Sequence, residues 1–243
     1  MPGPFLTARW ESLVLLNYAC PVAVLEPLVP HGTSLDLWRG EALVSLVGFR
    51  FVDTRLRGVP IPWHRDFDEV NLRFYVRRIH EDGTFRRAVV FVRELVPRVA
   101  IATLARWLYN EPYLRVPMSH RVRIDTERGG DAEYSWRYRS APFTIAAAVE
   151  GRASALVPGS EAEFITEHYW GYTRQRDGST LEYQVEHPPW RVWEARTGSF
   201  SGPAESLYGA AFAEVLTAPP RSVFVAVGSP VTVYAGRKLR DAK

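Results

Sequence analysis

Lysine is almost missing from this chain. It occurs only at positions 238 and 243, so the other 28 of its 30 basic side chains are arginines. Arginine stays protonated and is no amine nucleophile, which leaves the body of the protein without a group for imine chemistry. Cysteine is equally scarce. Cys20 stands alone, which excludes an intrachain disulfide and suits a reducing, cytoplasmic setting. The six histidines, at 31, 64, 80, 120, 168 and 187, show no metal-ligand spacing, and neither HExxH nor CxxC occurs, so no metal and no cofactor is expected. No GxGxxG opens a helix, no GxxxxGK[ST] exists, and "SFSG" near position 200 does not complete GxSxG. The common nucleotide loops and the nucleophile elbow are thereby excluded. No apolar run reaches the roughly 20 residues that span a bilayer. The longest, from Glu11 to Glu26, is interrupted by Asn17 and Pro21, fits a secretory leader poorly, and reads as a buried helix or strand edge. No membrane partner is expected.

What is present is strand. The chain has 243 residues, 47% of them hydrophobic and 13% aromatic, and no repeat or Gly/Ser linker divides it, so a single domain over residues 1–243 is expected. "FDEVNLRFYVRR" (67–78) alternates with period two. Val70, Leu72, Phe74 and Val76 share one face; Glu69, Asn71, Arg73, Tyr75 and Arg77 share the other. Residues 85–95 follow after an "EDG" turn and complete an antiparallel hairpin. Residues 41–55, 119–127, 132–140, 179–190 and 221–236 read as further strands. Helices are predicted over 97–110, over 160–172 with Ser160 and Glu163 as a capping box, and over 205–217. Many antiparallel strands and few helices define an α+β protein whose sheet curls or closes around a core.

The polar face of 67–78 is the first candidate site. A solvated face is the ordinary reading of such a strand, but Asn71 and Tyr75 are unusual choices for one. Glu69 with Arg73 in a cavity could instead position a polar ligand, since an arginine grips a carboxylate with two bonds. On that reading Leu72 and Phe74 pack under a helix. His168 shares an apolar helical stripe with Phe164 and Ile165 and is first a hydrogen-bonded core histidine. His187 closes a strand on the side of Tyr183 and Val185, faces inward before "PPW", and could serve as a general acid or base. Aromatic residues alternate with arginine in "YSWRYR" (134–139), a pattern that stacks on single-stranded nucleic acid. Packing accounts equally well for Tyr134, Trp136 and Tyr138 on one face. With a net charge of only +3, no nucleic-acid partner is expected.

Four stretches, "FDEVNLRFYVRR", "VVFVRELVPRVAIATLARWLYNEPY", "EFITEHYWGYT" and "VEHPPWRVW", together closely resemble the YqjF-like bacterial proteins, which look like a branch of the acetoacetate decarboxylase superfamily. The resemblance implies a closed, cone-like, mostly antiparallel β-barrel with a few helices packed outside, and an interior site. Decarboxylases of that superfamily form a Schiff base on a buried lysine whose pKa is lowered by desolvation and a neighbouring cation. By resemblance Glu69 matches their cavity glutamate, and the helix ending in "NEPYL" matches the segment that delivers the lysine. Here Pro112 and Tyr113 stand in that segment, and no lysine does.

Two readings follow. The barrel is an enzyme without a Schiff base, with Glu69 as general acid or base, Tyr113 or His187 assisting, and Asn71, Arg73, Tyr75 and His168 holding a small oxygenated or aromatic compound. Or it is a binding module that retains a small ligand without turnover. The partner is a small molecule in either case, and the aromatic content also permits a homodimer.

Overall fold

A computed structural model describes residues 3–60, 65–79, 83–97 and 112–239. Its main strands, in chain order, are β1 (Pro4–Ala19), β2 (Leu43–Leu56), β3 (Phe67–Ile79), β4 (Phe85–Val96), β5 (Met118–Asp125), β6 (Gly129–Tyr138), β7 (Ala141–Glu150), β8 (Trp170–Arg174), β9 (Thr180–Glu186), β10 (Arg191–Glu194), β11 (Thr197–Ser201) and β12 (Ser222–Tyr234). Three helices matter below: α1 (Glu161–Thr166), α2 (Ala204–Tyr208) and α3 (Ala210–Thr217). Among the described residues no helix is long and apolar enough to cross a membrane.

Seven strands form a ring. β12, β1, β2, β3 and β4 pair antiparallel in that order; β4 meets β8 through one parallel bridge, Gly171 to Val89, and β8 pairs with β9. The ring closes where Val185 and Glu186 of β9 pair with Val233 and Thr232 of β12. Closure removes the free edges that an open sheet would expose. The architecture is therefore a mostly antiparallel, cone-like α+β barrel. Gly171 is required at its narrow seam, because a Cβ there would lie 2.2 Å from the Tyr183 ring.

A second sheet, ordered β11–β7–β6–β5, covers one side of the ring. The sheets approach closely at Gly48, where a Cβ would stand 2.8 Å from the Tyr134 ring. Tyr134, Trp136, Phe143 and Ile145 form one core there with Val14, Leu16, Leu46, Leu72 and Phe74, and α3 adds Phe212, Val215 and Leu216. Among the described residues, the apolar face of β3 thus lies beneath a sheet, chiefly its strand β5, rather than beneath a helix. Of the rings in "YSWRYR", Tyr134 and Trp136 are buried in this core, with Trp136 stacked on Phe143 at 5.4 Å, and Tyr138 packs against it while partly exposed.

Three elements differ from the sequence expectation, one being the helix expected over 205–217, which Gly209, at φ 85°, divides into α2 and α3. The segment from Glu11 to Glu26 is mostly β1, a central strand paired on both sides rather than a helix or an edge. Leu13–Leu16 are apolar in succession because both faces of the strand are covered there, whereas Val22–Leu25 form one helical turn in which only Leu25 is buried. The helix expected over 160–172 begins as predicted, with Ser160 Oγ accepting from the Glu163 amide at 3.2 Å. It ends at Thr166, so that 170–174 can join the ring as β8. The helix expected over 97–110 falls almost wholly outside the described residues.

Candidate functional site

The ring encloses a cavity of about 140 Å³, on the scale of the roughly 150 Å³ cavities that hold one benzene ring. Aromatic side chains make most of its wall, including Trp10, Phe49, Phe51, Phe91, Tyr183 and Trp190. Three bulges shape the part of this wall that β1, β2 and β4 supply. On β1 the register against β2 slips between Glu11 and Val14, with Ser12 at φ 54°. On β2 the extra residue is Asp53, at φ 52°, opposite Ala8. On β4 Phe91 pairs with Arg73 but Arg93 pairs with Leu72, so Val92 is the extra residue. A bulge resets the alternation of faces and adds curvature. Tyr134 of the second sheet supports the first of them, donating to the Ser12 carbonyl at 2.8 Å.

Glu69, Asn71 and Arg73 all line the cavity. The polar face of β3 therefore faces the interior of the barrel, not bulk solvent. Asn71 Nδ2 donates to Glu69 Oε1 at 2.9 Å, and the Tyr113 hydroxyl lies 3.5 Å from Glu69 Oε2. Glu94 joins the same end of the site. It pairs with Asn71 across the β3–β4 ladder and with Tyr113 across the short parallel strand Tyr113–Arg115. Glu69 and Glu94 are both buried, so this end holds two carboxyl groups, an amide and a phenol in a low-dielectric setting.

The other end is basic. Arg73 is 8% exposed, and its one hydrogen bond among the described residues runs from Nη2 to the Ile165 carbonyl at 3.3 Å; its Nε is buried without a partner. His168, just past the end of α1, is 7% exposed; its ring nitrogens meet no partner at good hydrogen-bonding geometry, only a loose contact with the Ile165 main chain. Burial pushes its pKa well below the usual histidine value, and the charges of Arg87 and Arg73 push in the same direction. The ring is accordingly neutral near pH 7. His187 also lines the cavity, stacked on Trp190 at 4.3 Å. Its Nδ1 lies 3.0 Å from the Pro188 carbonyl, so the proton sits on Nδ1 and Nε2 is left as an acceptor. Burial lowers its pKa as well.

Tyr75 is set apart from the other predicted site residues. It has their parity on β3, yet it is absent from the cavity wall and lies under His168, the two rings 4.7 Å apart. Its hydroxyl meets Ser45 Oγ at 2.5 Å, Ser45 donates to Asn17 Oδ1 at 2.6 Å, Asn17 Nδ2 donates to Ser222 Oγ at 3.0 Å, and Ser222 donates to Glu161 at 2.6 Å. This chain crosses the floor of the barrel and ties it to α1, which stoppers that end and carries Thr166 to the wall. Tyr75 is a support of the site, not a lining residue.

Sequence reasoning missed Glu94, Trp10, Thr54 and Trp190. Glu94 and Thr54 have the wrong parity in an unbroken strand and come inward only because of the bulges. Trp190 was legible as part of "PPW", beside His187. Among the described residues no three His, Cys, Asp or Glu side chains gather into a set that could hold a metal ion.

Comparison with solved structures places this barrel. Acetoacetate decarboxylase from Legionella pneumophila matches with a TM-score of 0.70 at 15% identity, covering 98% of this chain and 88% of that one. An acetoacetate decarboxylase-like enzyme from Sphingomonas wittichii RW1 gives 0.67 at 14% identity, over 99% and 95%. The enduracididine biosynthesis enzyme MppR, complexed with pyruvate, gives 0.66 at 13% identity, over 99% and 92%. The fold is that of the acetoacetate decarboxylase-like proteins. Within it, residues 7–230 match the model of DUF2071, described as an uncharacterized conserved protein, and the chain belongs to that family. It is 29% identical over 196 residues to the uncharacterized protein YqjF of Bacillus subtilis strain 168, covering 76% of this chain and 74% of that one.

Proposed function

We propose that the barrel binds a small carboxylate compound, its anionic group on Arg73 and His168, and that Glu69 exchanges a proton with it from the opposite end. One observation carries the reading. Among the described residues, a guanidinium buried in the cavity wall has a main-chain carbonyl and, 5.9 Å away, the Tyr75 ring for partners but no paired carboxylate, and a buried cation in that state is costly unless an anion joins it. A neutral imidazole beside it adds an N–H donor without adding charge. Glu69 and Arg73 are four residues apart on one strand, roughly 13 Å between Cα atoms, which long side chains reduce to the length of a compound with a few carbons. The aromatic wall suits a branched or cyclic body.

The chemistry is acid–base without an imine. Among the described residues no lysine lines the cavity, and Lys238 is exposed and paired with Asp177. Glu69, supported by Asn71 and Tyr113, takes or gives a proton at the carbon skeleton, as in isomerisation or hydration. That MppR was solved with pyruvate supports a small acid as the class to try first.

Calorimetry with isovalerate and its neutral analogue 3-methylbutan-1-ol tests the binding step. The acid should bind at least tenfold more tightly, and Arg73→Met should remove the difference. Equal affinity of acid and alcohol, unchanged in Arg73→Met, would overturn the reading. Deuterium exchange at carbon 3 of 2-oxoisovalerate, followed by NMR, tests the proton step: wild type exchanges it and Glu69→Gln does not. Binding without exchange reduces the barrel to a ligand-holding module.

A further inference from the structure

Proton counting in the cavity wall sharpens the ligand. Among the described residues, polar atoms on the cavity wall that belong to side chains more than nine-tenths buried and meet no protein partner at hydrogen-bonding geometry include Thr54 Oγ1, Asn71 Oδ1, Arg73 Nε and the ring nitrogens of His168. Arg73 Nε can only donate. Asn71 Oδ1 can only accept, and its orientation is fixed because the amide nitrogen is committed to Glu69 Oε1, an oxygen that accepts. A neutral His168 presents one donor and one acceptor. Thr54 can do either. A plain or 2-oxo carboxylate consists of acceptors alone. It would satisfy Arg73 and one nitrogen of His168, and would leave Asn71 Oδ1 and the bare nitrogen of His168 buried and unpaired.

From this we infer that the site is built for a hydroxylated carboxylate, whose carboxylate joins Arg73 and His168 and whose hydroxyl donates to Asn71 Oδ1. The inference rests on the carboxylate reading above and adds the donor. Asn71 and Arg73 alternate along one face of β3, roughly 7 Å apart at Cα, which suits a hydroxyl on the second or third carbon. Asn71 then has two roles that its geometry separates: its nitrogen orients Glu69, and its oxygen reads the ligand. A site that expects a hydroxyl discriminates against the analogue lacking one, because binding that analogue leaves the buried acceptor unmade.

The test compares 2-hydroxyisovalerate, 3-hydroxyisovalerate, isovalerate and 2-oxoisovalerate by calorimetry on the full chain. One of the hydroxy acids should bind at least roughly tenfold more tightly than both isovalerate and 2-oxoisovalerate, and Asn71→Leu should erase that margin. If isovalerate or 2-oxoisovalerate matches both hydroxy acids, and Arg73→Met still abolishes binding, the hydroxyl assignment is overturned and the carboxylate reading stands. If no acid outbinds 3-methylbutan-1-ol, both fall. Should Asn71→Leu fail to fold, the ranking of the four acids on wild-type protein decides the matter alone.

Discussion

The two faces of β3 are one residue apart in sequence and opposite in their energetics. On the outer face Leu72 and Phe74 join an interior in which aromatic rings stack, Trp136 on Phe143 and Phe143 on Phe200, and apolar burial contributes roughly 25 cal/mol per Å². On the inner face Asn71 and Arg73 are just as deeply buried, yet they retain unmade hydrogen bonds that each cost on the order of 1–3 kcal/mol. A sequence selected for stability alone would make the two faces alike. The inner face gives up stability in order to hold polar groups ready.

Mutations on the two faces should therefore differ in sign. Trp136→Ala removes the largest fully buried side chain of the outer core and should lower unfolding stability by about 3–5 kcal/mol in urea denaturation. Arg73→Met should raise it, by about 1–3 kcal/mol, because an incompletely partnered cation is replaced by an apolar side chain of similar length. A loss of stability in Arg73→Met would show that the guanidinium is well satisfied where it stands.

The smallest effect is one of pH. His168 and His187 have pKa values lowered below the unfolded value, mainly by burial. The unfolded chain consequently binds more protons than the folded one below about pH 6.5. The stability conferred by the neutral rings is complete above that value and is lost as pH falls toward the folded pKa values, with a slope of at most about 1.4 kcal/mol per pH unit for each ring. His168→Phe should flatten the decline between pH 6.5 and 5, as measured by urea midpoints. An unchanged slope would show that His168 is not held neutral.

The alternation that separates these faces was legible in the sequence because β3 itself carries no bulge. It gave Glu69, Asn71 and Arg73 their side, and the strand content gave the class of fold. Glu94 was hidden because Val92 interrupts the period of β4, and no local residue announces the slip. Thr54 was hidden in the same way behind Asp53. The depth of Tyr75 was not legible either, since parity assigns a side chain to a face but not to a layer; its place under His168 depends on α1 ending at Thr166, and that ending depends on the ring needing β8. Features set by the strand period could be read from the chain, and those set by closure of the ring could not.

The floor of the barrel makes a different demand on the chain. Between Tyr75 and Glu161 every hydrogen has one assignment, because a carboxylate that accepts at one end fixes the direction of each donor before it. Position 222, only partly buried, needs a hydroxyl that serine or threonine can supply, whereas the fully buried position 45 also has no room to spare for a methyl group. Position 17 needs an acceptor toward Ser45 and a donor toward Ser222. Aspartate, equal to asparagine in size, would turn an oxygen toward the Ser222 lone pairs. Sequence drift in this floor is thus bounded by the direction of a proton chain as well as by volume, and the amide at position 17 is its least exchangeable member.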